Sequence, residues 1–126
     1  MDPMGGGWEI EYTDEFFEWW DGPSMSKEDQ DAVGFCIPSL RRLGPALGRP
    51  LVDTVKGSRH RNMKELRPPG THIRILFAFD PRRTAILLLG GDKTDRWQEW
   101  YEENIPVAER LYDTHLDELR KEGELP

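Results

Sequence analysis

His72-Ile73-Arg74-Ile75-Leu76-Phe77-Ala78-Phe79, then Asp80-Pro81-Arg82-Arg83, then Thr84-Ala85-Ile86-Leu87-Leu88-Leu89 is the stretch that decides the fold. Two runs rich in β-branched, aromatic and aliphatic residues flank a four-residue segment with turn chemistry, which is the pattern of a β-hairpin. The second run is apolar at every position after Thr84, so both of its faces are expected to be covered and the strand to lie inside the sheet. Upstream, Met63-Lys64-Glu65-Leu66-Arg67 reads as a short strand and Pro68-Pro69-Gly70 as the turn after it. Three strands joined by short turns make an antiparallel meander.

The period changes on either side. Trp8-Glu9-Ile10-Glu11-Tyr12 alternates apolar and acidic residues, as a half-buried strand does. Thr13 or Asp14 can cap a helix that carries Phe16, Phe17, Trp19 and Trp20. Ser26, with Asp29 three residues later, opens a second helix whose buried face is Ala32, Val33, Cys36, Ile37, Leu40 and Leu43. Pro38 is expected to kink or split it. Gly44-Pro45 ends it, and the chain to about Val55 is expected to be connecting loop. Gly90-Gly91 is expected to break the last strand. Beyond it Trp97, Trp100, Tyr101 and Ile105 share a helical face, with Trp97 a core candidate, and Asn104-Ile105-Pro106 reads as a joint to a further helix carrying Ala108, Leu111, Tyr112, His115 and Leu119. The fold class is therefore α+β: an N-terminal strand, two helices, a three-stranded antiparallel meander completing one sheet, and C-terminal helices. Residues 1–7 read as a flexible leader and 8–126 as a single domain.

Composition limits the function. With 126 residues, 37% of them hydrophobic, the chain can bury one core. Cys36 is its one cysteine, which excludes an intrachain disulfide and a cysteine-based zinc site and fits a small buried hydrophobe. No apolar run is long enough to span a bilayer, and the N-terminus lacks a signal-peptide pattern, so a soluble cytoplasmic protein with no membrane role is expected. His60, His72 and His115 lie on different elements, so no metal site is expected, and there is no phosphate loop or nucleophile elbow. His115 falls on a helix stripe and reads as packing.

The net charge is −7, yet its distribution is uneven. From Arg41 to Arg83 stand eleven basic residues, Arg41, Arg42, Arg49, Lys56, Arg59, Arg61, Lys64, Arg67, Arg74, Arg82 and Arg83, against the acids Asp53, Glu65 and Asp80. A locally positive segment is what polyanion binding requires. An arginine on a strand among apolar residues needs a carboxylate or a phosphate. Glu65 or Asp92 could serve any one of them, but three acids cannot neutralise eleven bases.

Lys64-Glu65-Leu66-Arg67, Arg74-Ile75-Leu76-Phe77-Ala78-Phe79 and Ala85-Ile86-Leu87-Leu88-Leu89-Gly90-Gly91-Asp92-Lys93 resemble the RelE/HigB toxins of bacterial type II toxin–antitoxin modules. The stretch from Trp100 to Glu109 and that from Tyr112 to Leu116 resemble an actinobacterial-looking branch of the same superfamily. The resemblance implies a RelE-like fold and an mRNA endoribonuclease, ribosome-dependent, needing no metal or cofactor. Such an enzyme cleaves by attack of the ribose 2′-OH to leave a 2′,3′-cyclic phosphate. It makes Arg67, Arg74 and Lys93 catalytic candidates, with Lys64 and His60 as base or docking groups and Asp92 as an orienting group. Arg49, Lys56, Arg59, Arg61, Arg82 and Arg83 become candidate contacts to RNA or the ribosome. A helix-turn-helix antitoxin is the implied partner, in a complex that extends to a higher heteromer. Two other readings stay open: a non-catalytic co-repressor subunit and a ParE-like gyrase inhibitor. The overall acidity departs from the usual basic character of these toxins.

Overall fold

The computed structural model describes residues 7–125, and residues 1–6 of the expected leader lie outside them. In chain order the elements are β1 (Glu9–Tyr12), α1 (Asp14–Trp20), α2 (Lys27–Leu43), a short 3₁₀ turn (Gly44–Ala46), β2 (Val52–Thr54), β3 (Met63–Leu66), β4 (Ile73–Asp80), β5 (Thr84–Asp92) and α3 (Trp97–Lys121). One five-stranded sheet has the order β1-β5-β4-β3-β2, with β1 parallel to β5 and the other pairs antiparallel. The expected meander is β3-β4-β5, and β5 is an inner strand, as its two apolar faces require.

Helices cover both faces. Ile73, Ile75, Phe77 and Phe79 of β4 pack in one core with Phe16, Val33, Cys36 and Leu40 of α1 and α2. Leu76 and Ala78, on the alternate positions, pack with Trp100, Ala108 and Tyr112 of α3. Thr13 and Ser26 are the expected N-caps, accepting from the backbone N–H of Phe16 and Asp29 at 3.0 Å. Cys36 is fully buried and its thiol is pushed up to about 11 by that burial, so it is an inert core side chain.

Four local expectations need correction. The segment expected as loop up to Val55 contains β2, an edge strand with Val52 buried in the core and Asp53 opposite Glu65. Pro38 does not split α2, and Pro106 does not separate two C-terminal helices: both prolines are exposed inside one continuous helix. The residues four positions earlier, Gly34 and Glu102, are also exposed, so the carbonyl that each proline leaves unpaired faces the solvent side. Packing of Trp100, Ala108, Tyr112 and Leu119 on the protein keeps α3 continuous through its proline. Finally, Gly90-Gly91 continues β5. A Cβ at Gly90 would lie 2.3 Å from the Trp19 ring and one at Gly91 2.4 Å from Trp100 Nε1, so the glycines make room for an aromatic ring on each face.

A β-bulge makes that arrangement possible. Leu76 pairs with Leu89 but Phe77 pairs with Leu87, which leaves Leu88 as an extra residue in β5. Leu88 and Leu89 both join the α3-side core, and the alternation after them is reset. The Thr13 hydroxyl donates to the Leu88 carbonyl at 2.6 Å, tying the first helix cap to the bulge.

Candidate functional site

The reset alternation decides which residues meet at the β3–β4–β5 end of the sheet. Gly91, opposite Arg74, faces α3, so Lys93 two residues on is directed to the same side. Without the bulge Lys93 would project toward α1. The Lys93 N–H donates to the His72 carbonyl at 3.1 Å, which clamps the end of β5 to the start of β4. Arg67 follows β3 and is fixed through its N–H to the Leu51 carbonyl at 2.7 Å.

At the centre lies Glu65, a carboxylate only 6% exposed. The Tyr101 hydroxyl of α3 donates to it. Burial, followed by the contact with Glu65, pushes that phenol up to about 12, so it stays a donor at any working pH. Arg67 Nε lies 3.6 Å and Arg74 Nε 3.8 Å from the two Glu65 oxygens, close enough for attraction and too far for a hydrogen bond. Both Nε atoms are buried without a hydrogen-bond partner, and they are the two such side-chain atoms among the described residues. Each unpaired buried donor costs about 1–3 kcal/mol. Arg74 also donates from NH1 to the Ile73 carbonyl at 2.8 Å. Burial, then the positive charges of Arg74 and Arg67, holds the Lys93 ammonium below the usual lysine range. The row continues outward: Asp53 lies 3.7 Å from Arg67 NH1 and 2.9 Å from Arg49 NH2.

Arg67, Arg74 and Lys93 are thus brought together around Glu65, and Arg67 lines a hollow that Arg49 and the exposed Lys56 border. Asp92 stands beside them, but its carboxylate accepts from the Thr94 N–H and hydroxyl and shapes the turn into α3. Lys64 projects from the other face of β3, where it donates to Thr54 at 3.1 Å. His60 is held by Asp113 of α3 at 2.8 Å and stands edge-on to Tyr112. Arg59 pairs with Asp113 and Glu109, and Arg61 is exposed before β3.

Arg82 and Arg83 lie at the far end of β4, about 25 Å away at the rise of a strand. Arg82 is bound by Asp80 at 2.7 Å and Glu11 at 2.9 Å. His115 also contacts Asp80, at 2.8 Å, so the histidine read as packing is a polar clamp. Arg83 sits 4.4 Å over the Trp8 ring. The charge imbalance along the sequence is therefore only partly an imbalance in space, because Glu11, Glu109 and Asp113 from the acidic flanks neutralise bases of the middle third.

Sequence reasoning missed Tyr101 as a site residue and treated Glu65 only as one ion-pair partner. Glu65 shares a strand face with Arg67 by alternation, which was a usable signal; the donor from α3 had none. Trp97, a core candidate in the sequence, is 62% exposed beside Lys93. Among the described residues, no group of three or more His, Cys, Asp or Glu residues is placed to hold a metal ion. No helix there is long and apolar enough to cross a membrane.

The family model described as phage derived protein Gp49-like (DUF891) matches residues 19–113. A relative named as toxin HigB3 of Mycobacterium tuberculosis is 55% identical over 93 residues, which cover 74% of this chain and 82% of that protein. Another, named as toxin HigB2 of the same organism, is 47% identical over 113 residues, covering 87% of this chain and 55% of the relative. The chain thus spans about half the length of the second relative. Among solved structures, the archaeal RelE–RelB complex of Pyrococcus horikoshii matches with a TM-score of 0.55 and 10% identity over 70% of this chain and 97% of the other. The isolated E. coli RelE toxin matches with a TM-score of 0.54 and 7% identity, over 76% and 97% respectively. These two likenesses are of fold. By sequence and fold together, the chain belongs to the Gp49-like family and is a toxin of the RelE/HigB family of toxin–antitoxin systems.

Proposed function

We propose that this toxin is a cytoplasmic, ribosome-dependent mRNA endoribonuclease. The observation that carries the reading is the pair of buried, unpartnered Arg67 and Arg74 Nε donors beside Lys93. Held by Glu65 only at 3.6–3.8 Å, the two guanidinium groups are free to turn their N–H donors onto a phosphodiester. In the reaction the RNA 2′-oxygen bonds to the adjacent phosphorus and passes its proton to a water molecule. The bond from phosphorus to the 5′-oxygen breaks, and that oxygen gains a proton, leaving a 2′,3′-cyclic phosphate and a 5′-OH. Arg67 and Arg74 stabilise the charge that gathers on the non-bridging oxygens, and Glu65 with Tyr101 holds their side chains in position. Lys93, its proton loosened by burial and two guanidinium groups, donates to the leaving oxygen.

Arg49 and Lys56, exposed on the border of this hollow, and Arg61, exposed ahead of β3 toward the Asp80 end of the sheet, serve as contacts to RNA or the ribosome. Arg59 and Arg82 are left out of that role because two carboxylates hold each of them, whereas Arg49 has Asp53 alone and keeps 72% of its side chain exposed. A helix-turn-helix antitoxin completes the module by neutralising the toxin in a heteromeric complex. The test is induction of the chain in cells, with RNA ends and DNA integrity read together. New RNA ends bearing cyclic phosphate are expected, phased to codons. DNA breaks without RNA cuts would replace this reading with gyrase poisoning, and neither with a regulatory subunit.

A further inference from the structure

β1 is the end strand of the sheet, and no strand among the described residues covers its outer edge. The Glu9 and Thr13 N–H groups donate inward, to the Arg83 and Leu87 carbonyls at 3.2 and 3.1 Å. Peptide groups alternate along a strand, so the Ile10 and Tyr12 N–H groups point to the open edge. The side chains alternate as well. Ile10 and Tyr12 stand on the α1–α2 face, over an apolar groove of about 310 Å³ walled further by Phe16, Phe17, Trp20 and Ile37. Tyr12 and Phe17 stack at 6.0 Å and stay 57% and 45% exposed, so the core does not account for their placement. Glu11 stands on the α3 face, in an acidic hollow of about 330 Å³ with Asp14, Glu15 and Glu118. Among the described residues, the one ion pair of these acids is that of Glu11 with Arg82.

We propose that the outer edge of β1 takes an extended segment of another polypeptide as a sixth strand, one whose side chains alternate between apolar and basic. A strand paired there sends every second side chain over the apolar groove and the others over Glu11, Asp14, Glu15 and Glu118. Main-chain bonds to Ile10 and Tyr12 supply the pairing, and the two hollows supply the choice of sequence. A second copy of this chain fits poorly, because β1 against β1 sets Glu9 and Glu11 against the same acids. The residues ahead of Gly7, Met1-Asp2-Pro3-Met4-Gly5-Gly6, hold no base to meet the acidic side. The edge lies three strands from β3 and at the Asp80 end of β4, so the inference stands apart from the nuclease reading.

The test titrates the full chain with a capped octapeptide of alternating valine and lysine, reading binding by calorimetry and amide hydrogen exchange by NMR. The peptide should slow exchange of the Ile10 and Tyr12 N–H groups, and its affinity should fall as salt rises. The same residues arranged as a valine block and a lysine block should bind about tenfold more weakly or not at all. Gly34 borders the apolar groove, and a Cβ there meets nothing within 4 Å. Gly34→Leu therefore fills the groove without crowding the fold, and should weaken the alternating peptide about tenfold while helix stability is kept or raised. Glu15→Lys with Glu118→Lys should weaken it about tenfold at low salt. Block and alternating peptides that bind equally, or binding that leaves Ile10 and Tyr12 unprotected, would overturn the proposal, and neither readout needs a variant to fold. An octapeptide that does not bind at all would overturn it too. Self-association of the free chain that Gly34→Leu abolishes would give the edge to a second copy instead. A chain lacking residues 1–6 that binds the peptide where the full chain does not would give it to the chain's own N-terminus.

Discussion

The two ends of β4 each set arginine beside a buried carboxylate, and they treat it in opposite ways. At one end Asp80 is fully engaged: Arg82 reaches it at 2.7 Å, His115 at 2.8 Å, and Glu11 takes the other side of the same guanidinium at 2.9 Å. At the other, Glu65 has Arg67 and Arg74 only at 3.6 and 3.8 Å, and leaves two Nε donors buried and unpaired. The residue types are alike. The difference lies in geometry: the Asp80 end closes on itself and stabilises the fold, while the Glu65 end keeps binding capacity that a phosphate can satisfy. An unsatisfied donor is costly in the empty protein and favourable once an anion arrives.

The largest expected effect breaks the open end. Arg74→Ala combined with Lys93→Ala should lower RNA cleavage about a hundred- to a thousandfold and relieve growth arrest on induction. Its stability in urea should change by less than about 1 kcal/mol, because Arg74 gives up an unpaired donor. Persistent toxicity in the folded double variant would count against the account. The closed end should respond in reverse. Asp80→Ala leaves Arg82 and His115 without their buried partner and should cost about 3 kcal/mol in urea unfolding, with cleavage by the folded fraction unchanged.

A pH measurement sharpens the same contrast. Burial alone would raise the Asp80 carboxyl, but hydrogen bonds from His115 and Arg82 outweigh it and hold it below its ordinary value. A carboxyl lowered by folding contributes stability above its unfolded value of about 3.9 and loses it as pH falls through the folded one. Wild type should therefore lose stability below about pH 4 more steeply than Asp80→Asn. The smallest effect is Tyr101→Phe, which removes one hydrogen bond to Glu65. It should cost about 1 kcal/mol of stability and loosen the arginines enough to slow cleavage, measured together on one preparation.

Much of the fold was legible because periodicity and caps report it directly. Thr13 and Ser26 cap where expected, and the apolar run after Thr84 is an inner strand. What stayed hidden depends on contacts far apart in sequence. Gly90-Gly91 looks like a strand breaker until Trp19 and Trp100 are seen over it. Pro106 looks like a helix joint until both halves of α3 are seen to pack on the protein. Of the site, Arg67, Arg74 and Lys93 could be named from the resemblance, but not the reason they meet. A single extra residue at Leu88 directs Lys93 toward them, and no local pattern announces it. Trp97 lies on the stripe of Trp100 and Tyr101 by spacing, yet as the first residue of α3 it extends past the covered surface.

The most direct test observes the two ends at once, by NMR of the arginine Nε–H groups of the intact chain. A short RNA whose reactive 2′-OH is replaced by hydrogen would be added at millimolar concentration. The account predicts that the Arg67 and Arg74 Nε–H signals move strongly as they gain acceptors, while that of Arg82 stays in place. Movement of Arg82, or saturating RNA binding that leaves Arg67 and Arg74 unmoved, would contradict it.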